Sequence, residues 1–453
     1  MQSGNLKPVV EEDQMRIERD GSSGKKVLVT AALFMGLSHI LYFKQYIKGI
    51  LYALLEIFAL LLIPMFVKGF QNIITLGSPQ PELSVRFREN SIFLLIDGIM
   101  MIAVLLIFFV LYIKSIKDAG NEYKYFCIYG LRNRETRNSV RTLAAKSFPL
   151  IGMAPAFVLV LFFVVVPLIF SAAVAFTNYS APDHIPPAKT VDWVGMQNFA
   201  ALFGGESTWA GAFVRVAVWT LIWGFLATLT CFAGGMIAAA VLHETKIRIK
   251  PVFRSLFILP YAVPSVVSML VWKNLLNGSF GIVNRTLMEI GLIGQPIPWL
   301  SDVWICRWVC VLVNLWAGFS YFMLLIMGNM TSISADVYEA ARIDGANKFY
   351  IFRKITVPLV LYQTMPLIIM SFAHNINNFG AIYFLTGGAP AVADSTMTSA
   401  GGTDILVTWI YQLTMTLMKY NYASVLGIVI FIVMAPFAVI SFRNTKSYKE
   451  GEV

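Results

Sequence analysis

A short run of polar side chains interrupts a stretch of the chain that is otherwise apolar enough to cross a membrane. Residues 371–380 read SFAHNINNFG, between PLVLYQTMPLIIM and AIYFL. Amides, hydroxyls and imidazoles are costly in hydrocarbon unless they meet a partner or water. Helix positions i, i+3, i+4 and i+7 share one face, which here carries Ser371, His374, Asn375 and Asn378. We expect this face to contact a polar ligand, and Asn377, which lies off it, to bond a neighbouring helix or its own backbone.

Two other apolar stretches carry polar stripes of the same kind. In NLWAGFSY the helical spacing selects Asn314, Ala317, Gly318 and Tyr321. Two small residues therefore lie between an amide and a phenol, which leaves room for a bulky ligand. In YAVPS, Tyr261 and Ser265 are four residues apart. Pro260 and Pro264 flank this turn, and each removes a backbone donor and leaves carbonyl groups free nearby.

The three stripes offer the groups that a neutral, hydroxyl-rich ligand needs. Amides and hydroxyls donate and accept hydrogen bonds, and aromatic rings stack on the apolar face of a pyranose. Each buried hydrogen bond of this type contributes about 0.5–1.5 kcal/mol, so a set of them gives modest binding, which suits a conduit that must release its cargo. The alternative is that these groups only hydrogen-bond one helix to the next. Three stripes in register favour a sugar-binding site.

The composition defines the setting of these stripes. The 453 residues are 57% hydrophobic and 13% charged, with a mean hydropathy of +0.69, and apolar runs of eighteen or more residues recur. We predict an all-α polytopic membrane protein. The net charge of +10 lies mainly between the spans, as the positive-inside rule describes, and does not indicate nucleic-acid binding. The cysteines match no disulfide or zinc framework: Cys127, Cys231, Cys306 and Cys310. We expect no metal and no cofactor.

The hydropathy pattern predicts about eight transmembrane helices, at 49–67, 91–113, 149–177, 211–242, 253–276, 304–328, 358–385 and 423–442. Basic residues place four segments in the cytoplasm: 114–147, 243–254, 329–357 and the tail with Arg443, Lys446 and Lys449. The spans alternate correctly between these anchors, so both termini are expected in the cytoplasm. Arg215 and Arg307 lie close to span ends, from which their side chains can reach the interface.

The apolar stretch 27–43 does not fit this alternation as a span, because an extra crossing would place the basic linker outside. It is short and contains Gly36, Ser38 and His39, so we expect an interfacial segment or a re-entrant hairpin. The predicted organisation is a cytoplasmic tail (1–26), an interfacial segment with two transmembrane helices (27–113), a basic cytoplasmic linker (114–148), a six-helix core (149–445) and a second cytoplasmic tail (446–453).

A cytoplasmic loop at 334–358, SADVYEAARIDGANKFYIFRKITVP, is the other candidate functional element. Asp336 and Glu339 have the spacing of a capping box that starts a helix, and Gly345 can adopt the left-handed conformation that ends it. A second helix then runs to Pro358, where the next span opens. Ala340 and Ala341 leave a surface into which another protein can press closely. The loop is then either a docking element or an ordinary connection.

The loop resembles the EAA loop of ABC importer permeases in Glu339, Ala340, Ala341, Gly345, Ile355 and Pro358. In that family the loop forms a coupling helix that fits a cleft of the cytoplasmic ATPase. The resemblance covers most of residues 150–445, including LPYAVPSVVSMLVWKNLLNGSFGIVN and FLTGGAP. It is nearest to the larger maltose/maltodextrin permease subunits of the MalF/MalC type, and it implies the MetI-like core of a type I ABC importer permease.

The resemblance also implies site residues and partners. In maltose permeases the sugar contacts come from positions that match the ten stripe residues: Tyr261, Ser265, Asn314, Ala317, Gly318, Tyr321, Ser371, His374, Asn375 and Asn378. Two positions differ from those of the enterobacterial relative among these permeases: His374 stands where that relative has an aromatic ring, and Ala317 where it has a leucine. The external segment 179–208 is short where that relative carries a folded domain. The implied partners are a MalG-type permease subunit, two ABC ATPases, an extracellular sugar-binding lipoprotein and a maltodextrin.

The expected function is ATP-driven import of maltodextrin or maltose-type oligosaccharides across the plasma membrane by alternating access. Permeases for another oligosaccharide or a sugar alcohol remain alternatives. An ion-coupled secondary transporter is a further alternative, and it would need a titratable group in the membrane. The six spans from residue 149 on contain no interior Asp or Glu, and Glu56 and Asp97 lie in the amino-terminal pair.

An enzyme is not expected. The chain has no HExxH or GxSxG motif, and GSSGKK at 21–26 lacks both the first glycine of a phosphate-binding loop and the Ser or Thr after its lysine. ATP hydrolysis must therefore occur on partner subunits.

Overall fold

A computed structural model of the chain describes residues 21–129, 152–205, 207–244 and 249–443. These described residues form helices, turns and a single isolated bridge between Thr177 and Trp193. They divide into two compact units. The first holds the residues up to Ala173 together with Pro186–Asp192, and the second holds Val174–Ile185 and the residues from Trp193 onward.

The number of membrane-spanning helices agrees with the sequence prediction when bent helices are counted as single spans. Six helices are long and apolar enough to cross a bilayer, and two further pairs of helices meet the same criterion together but bend at a short break. Counting each bent pair once gives eight spans within the described residues. The predicted all-α polytopic fold is confirmed.

The first unit consists of helices at the amino-terminal end of the chain: α1 (Gly21–Leu33), α2 (Leu37–Leu41), α3 (Tyr46–Leu61), α4 (Ile63–Thr75) and α5 (Ser91–Tyr129), followed by most of α6 (Gly152–Val174). Helices α3 and α4 bend by 48° at their junction. Helix α1 begins at Gly21, within the last residues of the predicted tail 1–26. The rest of that tail, most of the basic linker and the carboxyl-terminal tail lie outside the described residues.

Helices α1 and α2 form a hairpin beside α5. Going along α1, Gly24 lies against Tyr123 and Leu28 approaches Gly120, while the carbonyl of Ala32, further along, accepts a hydrogen bond from the Tyr112 hydroxyl. α1 therefore runs antiparallel to α5. The chain then reverses, because Gly36 has φ +81° and a Cβ there would lie 2.1 Å from the carbonyl oxygen of Gly49. The segment 27–43 is not among the candidate spans.

A buried polar network ties this hairpin to α5. His39 Nδ1 lies 3.1 Å from Gln45 Oε1, and Gln45 Nε2 donates to Glu122 Oε2 at 2.9 Å. Lys48 forms ion pairs with Asp118 and Glu122. Burial lowers the pKa of His39. The hairpin is therefore held by charge and hydrogen bonding as well as by apolar packing.

The two carboxylates that the sequence places within the amino-terminal spans both have hydrogen-bond partners in the first unit. Glu56 accepts a hydrogen bond from the backbone N–H of Met35, and Asp97 accepts one from the Asn72 amide at 3.1 Å. Such partners offset the cost of a carboxylate at membrane depth.

The second unit contains the remaining helices: α7 (Gln197–Phe203), α8 (Thr208–Glu244), α9 (Lys250–Ala262), α10 (Ser265–Leu275), α11 (Ile282–Glu289), α12 (Val303–Thr331), α13 (Ala335–Ile343), α14 (Lys348–Ile376), α15 (Phe379–Thr386), α16 (Ser395–Thr398), α17 (Leu406–Met415) and α18 (Tyr420–Arg443). Its centre is the pair α8 and α12. Glycine allows their close approach, since a Cβ at Gly235 would lie 2.6 Å from Cβ of Phe322.

Two predicted spans in this unit are interrupted. The span predicted at 253–276 is α9 and α10, which meet at 91°, because Val263 is extended and precedes Pro264, which cannot donate a backbone hydrogen bond. The span predicted at 358–385 ends at Ile376, and a new helix, α15, starts at Phe379. Both interruptions fall beside the polar stripes.

The two arginines near span ends donate hydrogen bonds to backbone carbonyl groups between α15 and α17. Arg215 donates to the carbonyl of Gly401 at 2.7 Å and to Asp394 Oδ1 at 2.6 Å. Arg307 donates to the carbonyl of Gly402 at 2.9 Å, and its guanidinium lies 4.5 Å from the ring centroid of Trp219. They hold the segment between α15 and α17, residues 387–405, which we call the 387–405 loop.

Candidate functional site

One cavity in the second unit brings together all ten residues of the three predicted stripes. It has a volume of about 430 Å³, within the range of roughly 300–1,000 Å³ typical of small-molecule sites. The stripe residues that line it come from α9, α10, α12, α14 and the start of α15: Tyr261, Ser265, Asn314, Ala317, Gly318, Tyr321, Ser371, His374, Asn375 and Asn378. Space for a ligand therefore exists where the stripes converge.

Helix α12 contributes the Asn314 amide to the cavity and packs closely against α8 at Gly318. Asn314 Nδ2 lies 3.5 Å from Cys231 Sγ on α8, and that thiol donates to the carbonyl of Asn314 at 3.4 Å. A Cβ at Gly318 would lie 2.7 Å from the same sulfur. From the sequence, Gly318 was predicted to leave room for a ligand. In the structure Gly318 is also needed for the packing of α12 against α8.

The break between α9 and α10 presents the second stripe. Tyr261 lies near the end of α9, and Ser265 is the first residue of α10, so the two are not on one continuous helix as predicted. Both side chains nevertheless line the cavity. The rings of Tyr261 and Tyr321 have their centroids 6.3 Å apart, which makes an aromatic wall suited to one face of a sugar ring.

The third stripe is interrupted as well. Ser371, His374 and Asn375 lie in the last turns of α14, whereas Asn378 lies beyond its end. Asn378 is the N-cap of α15, where its Oδ1 accepts a hydrogen bond from the backbone N–H of Ala381 at 3.2 Å. The prediction of four residues on one helix face was therefore wrong for Asn378, because the helix stops at Ile376, although its side chain still reaches the cavity.

Helix α8 contributes to the site in a way that the sequence did not predict. Cys231 lines the cavity, and Thr228, one turn before it, accepts a hydrogen bond from Asn375 Nδ2 at 3.0 Å. Apolar side chains complete the wall: Met269, Phe322, Leu367, Met370 and Ala381. In the sequence, α8 resembles any apolar span, and only the three-residue spacing of Thr228 and Cys231 could have drawn attention to it.

The lining of the cavity is uncharged. Among the described residues that surround it there is no Asp, Glu, Lys or Arg, and polar, aromatic and apolar side chains all contribute. Across the described part of the chain, no group of three or more His, Cys, Asp or Glu residues is placed to hold a metal ion. The geometry therefore allows hydrogen bonding and ring stacking to a neutral molecule.

The predicted cytoplasmic loop forms a short helix, α13, that starts differently from the prediction. Ser334 is the N-cap, and its hydroxyl accepts a hydrogen bond from the backbone N–H of Asp336. The predicted capping box of Asp336 with Glu339 is therefore wrong, because Asp336 already lies in the first helical turn. Gly345 has φ +83° and follows the end of the helix, which is the conformation expected of a glycine there.

The second helix of the loop does not stop at Pro358. It is the first part of α14, which continues through a π-helical turn at Phe352–Thr356 to Ile376. Proline is tolerated at Pro358 because it follows this turn at the start of regular α-helix. The second loop helix and the span after Pro358, which were predicted to be separate, are therefore one helix.

The loop presents an exposed surface. Glu339 and Ala340 are exposed and Ala341 is partly exposed, while Ile343 and Phe349 are 86% and 69% exposed. Large apolar side chains in water are unfavourable, and such a patch marks an interaction site when it is contiguous. Ile355 is half-buried within the π-helical turn.

A bundle of membrane-spanning helices with an uncharged cavity among them and a short helical loop at one end has the architecture of a transport permease. Residues 231–445 match the family described as the binding-protein-dependent transport system inner membrane component. Two relatives are similar over nearly the whole chain. The galactooligosaccharides transport system permease protein GanP of Bacillus subtilis is 37% identical over 94% of this chain and 99% of the relative. The maltodextrin transport system permease protein MalC of Streptococcus pneumoniae is 32% identical over 93% and 96%.

The chain belongs to this family of ABC importer permeases, and the resemblance seen in the sequence is confirmed. A crystal structure of a bacterial ABC transporter involved in the import of the acidic polysaccharide alginate has a similar fold. It matches with a TM-score of 0.53 at 23% identity over 67% of this chain and 98% of that chain. The chain is therefore a multi-pass membrane component of an importer, a part of the transporter that is not itself catalytic.

Proposed function

We propose that this chain is a permease subunit of an ATP-driven importer for neutral oligosaccharides of the maltodextrin type. The observation that carries the proposal is the convergence of ten amide, hydroxyl, aromatic, imidazole and small residues around one cavity of about 430 Å³. The ten residues were selected from helical spacing and from resemblance to sugar-contacting positions. Their convergence on one volume favours a ligand site over simple hydrogen bonding between helices.

The uncharged lining supports a neutral sugar. An acidic polysaccharide carries a carboxylate on its rings and needs Lys or Arg to offset the cost of burying it. None of the described residues that line this cavity is Lys or Arg. The similarity to the alginate transporter therefore extends to the fold, while the substrate is expected to be uncharged.

Galactooligosaccharides are the second candidate, because a permease named for them has the higher identity of the two relatives, 37% against 32%. Glucose and galactose differ only in the orientation of one hydroxyl group. His374, where the enterobacterial pattern has an aromatic ring, donates or accepts hydrogen bonds that a phenyl ring cannot. It is the cavity residue best suited to distinguish such isomers.

The mechanism couples the cavity to partners on both sides of the membrane. An extracellular binding protein delivers the sugar, a MalG-type permease subunit completes the transmembrane pathway, and two ATPase subunits bind on the cytoplasmic side. One ATPase contacts the surface formed by Glu339, Ala340, Ala341 and Gly345, with Ile355 and Pro358 in the helix that follows. Closure of the ATPases shifts the helices between outward-facing and inward-facing arrangements. Both termini lie in the cytoplasm.

The carboxylates within the spans do not support the alternative that the chain is an ion-coupled secondary transporter. Glu56 and Asp97 both accept hydrogen bonds within the first unit. The spans of the second unit described here contain no interior Asp or Glu.

The test is uptake of radiolabelled sugars by cells that lack this chain and by the same cells complemented with it. Maltose, maltotriose, longer maltodextrins and galactooligosaccharides are compared, each with and without an uncoupler of the proton gradient. We expect restored uptake of one oligosaccharide class that depends on the ATPase subunits. Restoration of no oligosaccharide uptake would refute the proposal, and uptake that persists without the ATPases would establish a secondary transporter instead.

A further inference from the structure

Helix α8 contacts two of the three cavity asparagines, Asn314 and Asn375, from outside the predicted stripes. Thr228 and Cys231 are three residues apart, so they lie on the same face of α8. Asn375 Nδ2 donates to Thr228 Oγ1 at 3.0 Å, and Asn314 Nδ2 donates to Cys231 Sγ at 3.5 Å. The amides of Asn314 and Asn375 are therefore attached to α8 through their nitrogens.

This attachment determines which atom of each amide is left for a ligand. A side-chain amide has an NH2 end with two donors and a carbonyl end that accepts, and in both cases an α8 residue takes one of the two donors and fixes the orientation of the amide. Within the described residues, neither Asn314 Oδ1 nor Asn375 Oδ1 accepts a hydrogen bond, and neither is sealed from solvent. Both residues line the cavity. The two free oxygens can therefore accept hydrogen bonds from a bound molecule.

The backbone of Asn375 is fixed by the same helix. Trp223 Nε1 on α8 donates to the carbonyl of Asn375 at 3.0 Å, and Trp223 and Asn375 are both buried. This carbonyl lies in the last turn of α14 and also accepts a hydrogen bond from the backbone N–H of Asn378 at 3.2 Å. Helix α8 thus holds Asn375 at two points: Trp223 bonds its backbone, and Thr228, five residues further along α8, bonds its side chain.

We propose that Thr228 and Cys231 are positioning residues that set two amides of the cavity, Asn375 and Asn314, as hydrogen-bond acceptors for sugar hydroxyl groups. They do not touch the sugar through their own hydrogen bonds. They orient Asn375 and Asn314 so that the amide oxygens face the ligand, and the hydroxyls of the sugar donate to them. The inference rests on the proposed function, since it assigns a direction to the hydrogen bonds at that same site.

The main test replaces the hydroxyl of Thr228 while keeping its shape. Thr228→Val removes the partner of Asn375 Nδ2, so the amide can rotate and present its N–H groups. Because the binding protein sets the concentration of sugar at which uptake is half-maximal, we expect that concentration to stay the same. The maximal uptake rate, normalised to the amount of permease in the membrane, should fall by about three- to tenfold, as the loss of one buried hydrogen bond predicts.

Two variants serve as controls. Thr228→Ser retains the hydroxyl and should retain the rate within about twofold. Thr230→Val removes a hydroxyl from the same helix that donates to the carbonyl of Leu226 and does not line the cavity. It should also retain the rate. If Thr228→Val is no slower than Thr230→Val, Thr228 does not position Asn375 for transport.

A second measurement needs no variant. The wild-type transporter is supplied, at saturating concentration, with sugars in which one hydroxyl at a time is replaced by hydrogen or by fluorine. Fluorine cannot donate a hydrogen bond, so an acceptor site predicts at least one position at which both replacements slow transport. If fluorine preserves the rate at every position, the amides do not act as acceptors. If the unmodified oligosaccharides are not imported at all, the proposed function itself fails, which is a separate outcome.

Discussion

The contact between Gly318 and Cys231 can be tested by a pair of substitutions whose effects should not add. Gly318 lies on α12 where a Cβ would be 2.7 Å from Cys231 Sγ. To reach ordinary contact the sulfur must retreat by roughly 1 Å. That movement breaks its hydrogen bonds of 3.4 and 3.5 Å with Asn314. Gly318→Ala is therefore expected to disturb both helix packing and the cavity.

The magnitude follows from two opposing effects. Forcing an extra methyl group into a packed interface costs about 1–3 kcal/mol. Replacing glycine by alanine inside a helix contributes about 0.8–1 kcal/mol of stability in return. In the wild-type background the net effect of Gly318→Ala is destabilising. In a Cys231→Ala background the obstructing sulfur is absent, so the same substitution should become stabilising. The coupling between the two sites is then about 1–3 kcal/mol.

The assay is reversible unfolding of the purified transporter in mixed micelles, in a detergent without a sugar headgroup so that the cavity stays free. Wild type, both single variants and the double variant form a double-mutant cycle, and oligosaccharide uptake is measured for the same four proteins. A change of sign for Gly318→Ala between the two backgrounds supports the packing described. Additive effects, or a stable and fully active Gly318→Ala variant, would show that the sulfur moves aside without cost and that the reasoning is wrong.

Three further predictions concern other parts of the chain. Gly345→Val should lower the number of sugar molecules imported per ATP hydrolysed without reducing membrane insertion, whereas Gly291→Val, which places a side chain at a similar φ of +73° in another loop, should not. Asn375→Ala should reduce uptake while the complex still assembles, as judged by co-purification of its subunits. Burial raises the pKa of Asp404 from its ordinary 3.8 to about 6, so the folded chain retains a proton that the unfolded chain releases, and stability falls as pH rises between those values. Hydrogen exchange in the 387–405 loop, corrected for its intrinsic pH dependence, should therefore be slower at about pH 5 than at about pH 7.

The sequence predicted the spans well where a helix is long and apolar. It missed the breaks that shape the site, because hydropathy averages over a window and does not register a local change of direction. Pro264 was recognised as a residue that removes a donor, but the extended backbone at Val263 and the 91° turn between α9 and α10 were not predicted. The stop of α14 at Ile376 has no proline or glycine to announce it.

The cavity residues were predicted because their type and spacing are unusual in a membrane span. The contribution of α8 was not predicted, since a threonine and a cysteine in an apolar helix are common and satisfy their hydrogen bonds locally. Their role depends on which helix lies opposite, and one sequence does not reveal that. For the same reason the sequence did not reveal that Arg215 binds Asp394 and the carbonyl of Gly401.

The continuity of α14 has a mechanical consequence. Lys348 lies at its first residue, beside the exposed Phe349, and Asn375 lies one residue before its end. A helix of this length spans about 40 Å. Under the proposed function, a displacement at the end where the ATPase binds reaches the cavity along this one helix, and the π-helical turn at Phe352–Thr356 and Pro366 are the places where it can bend.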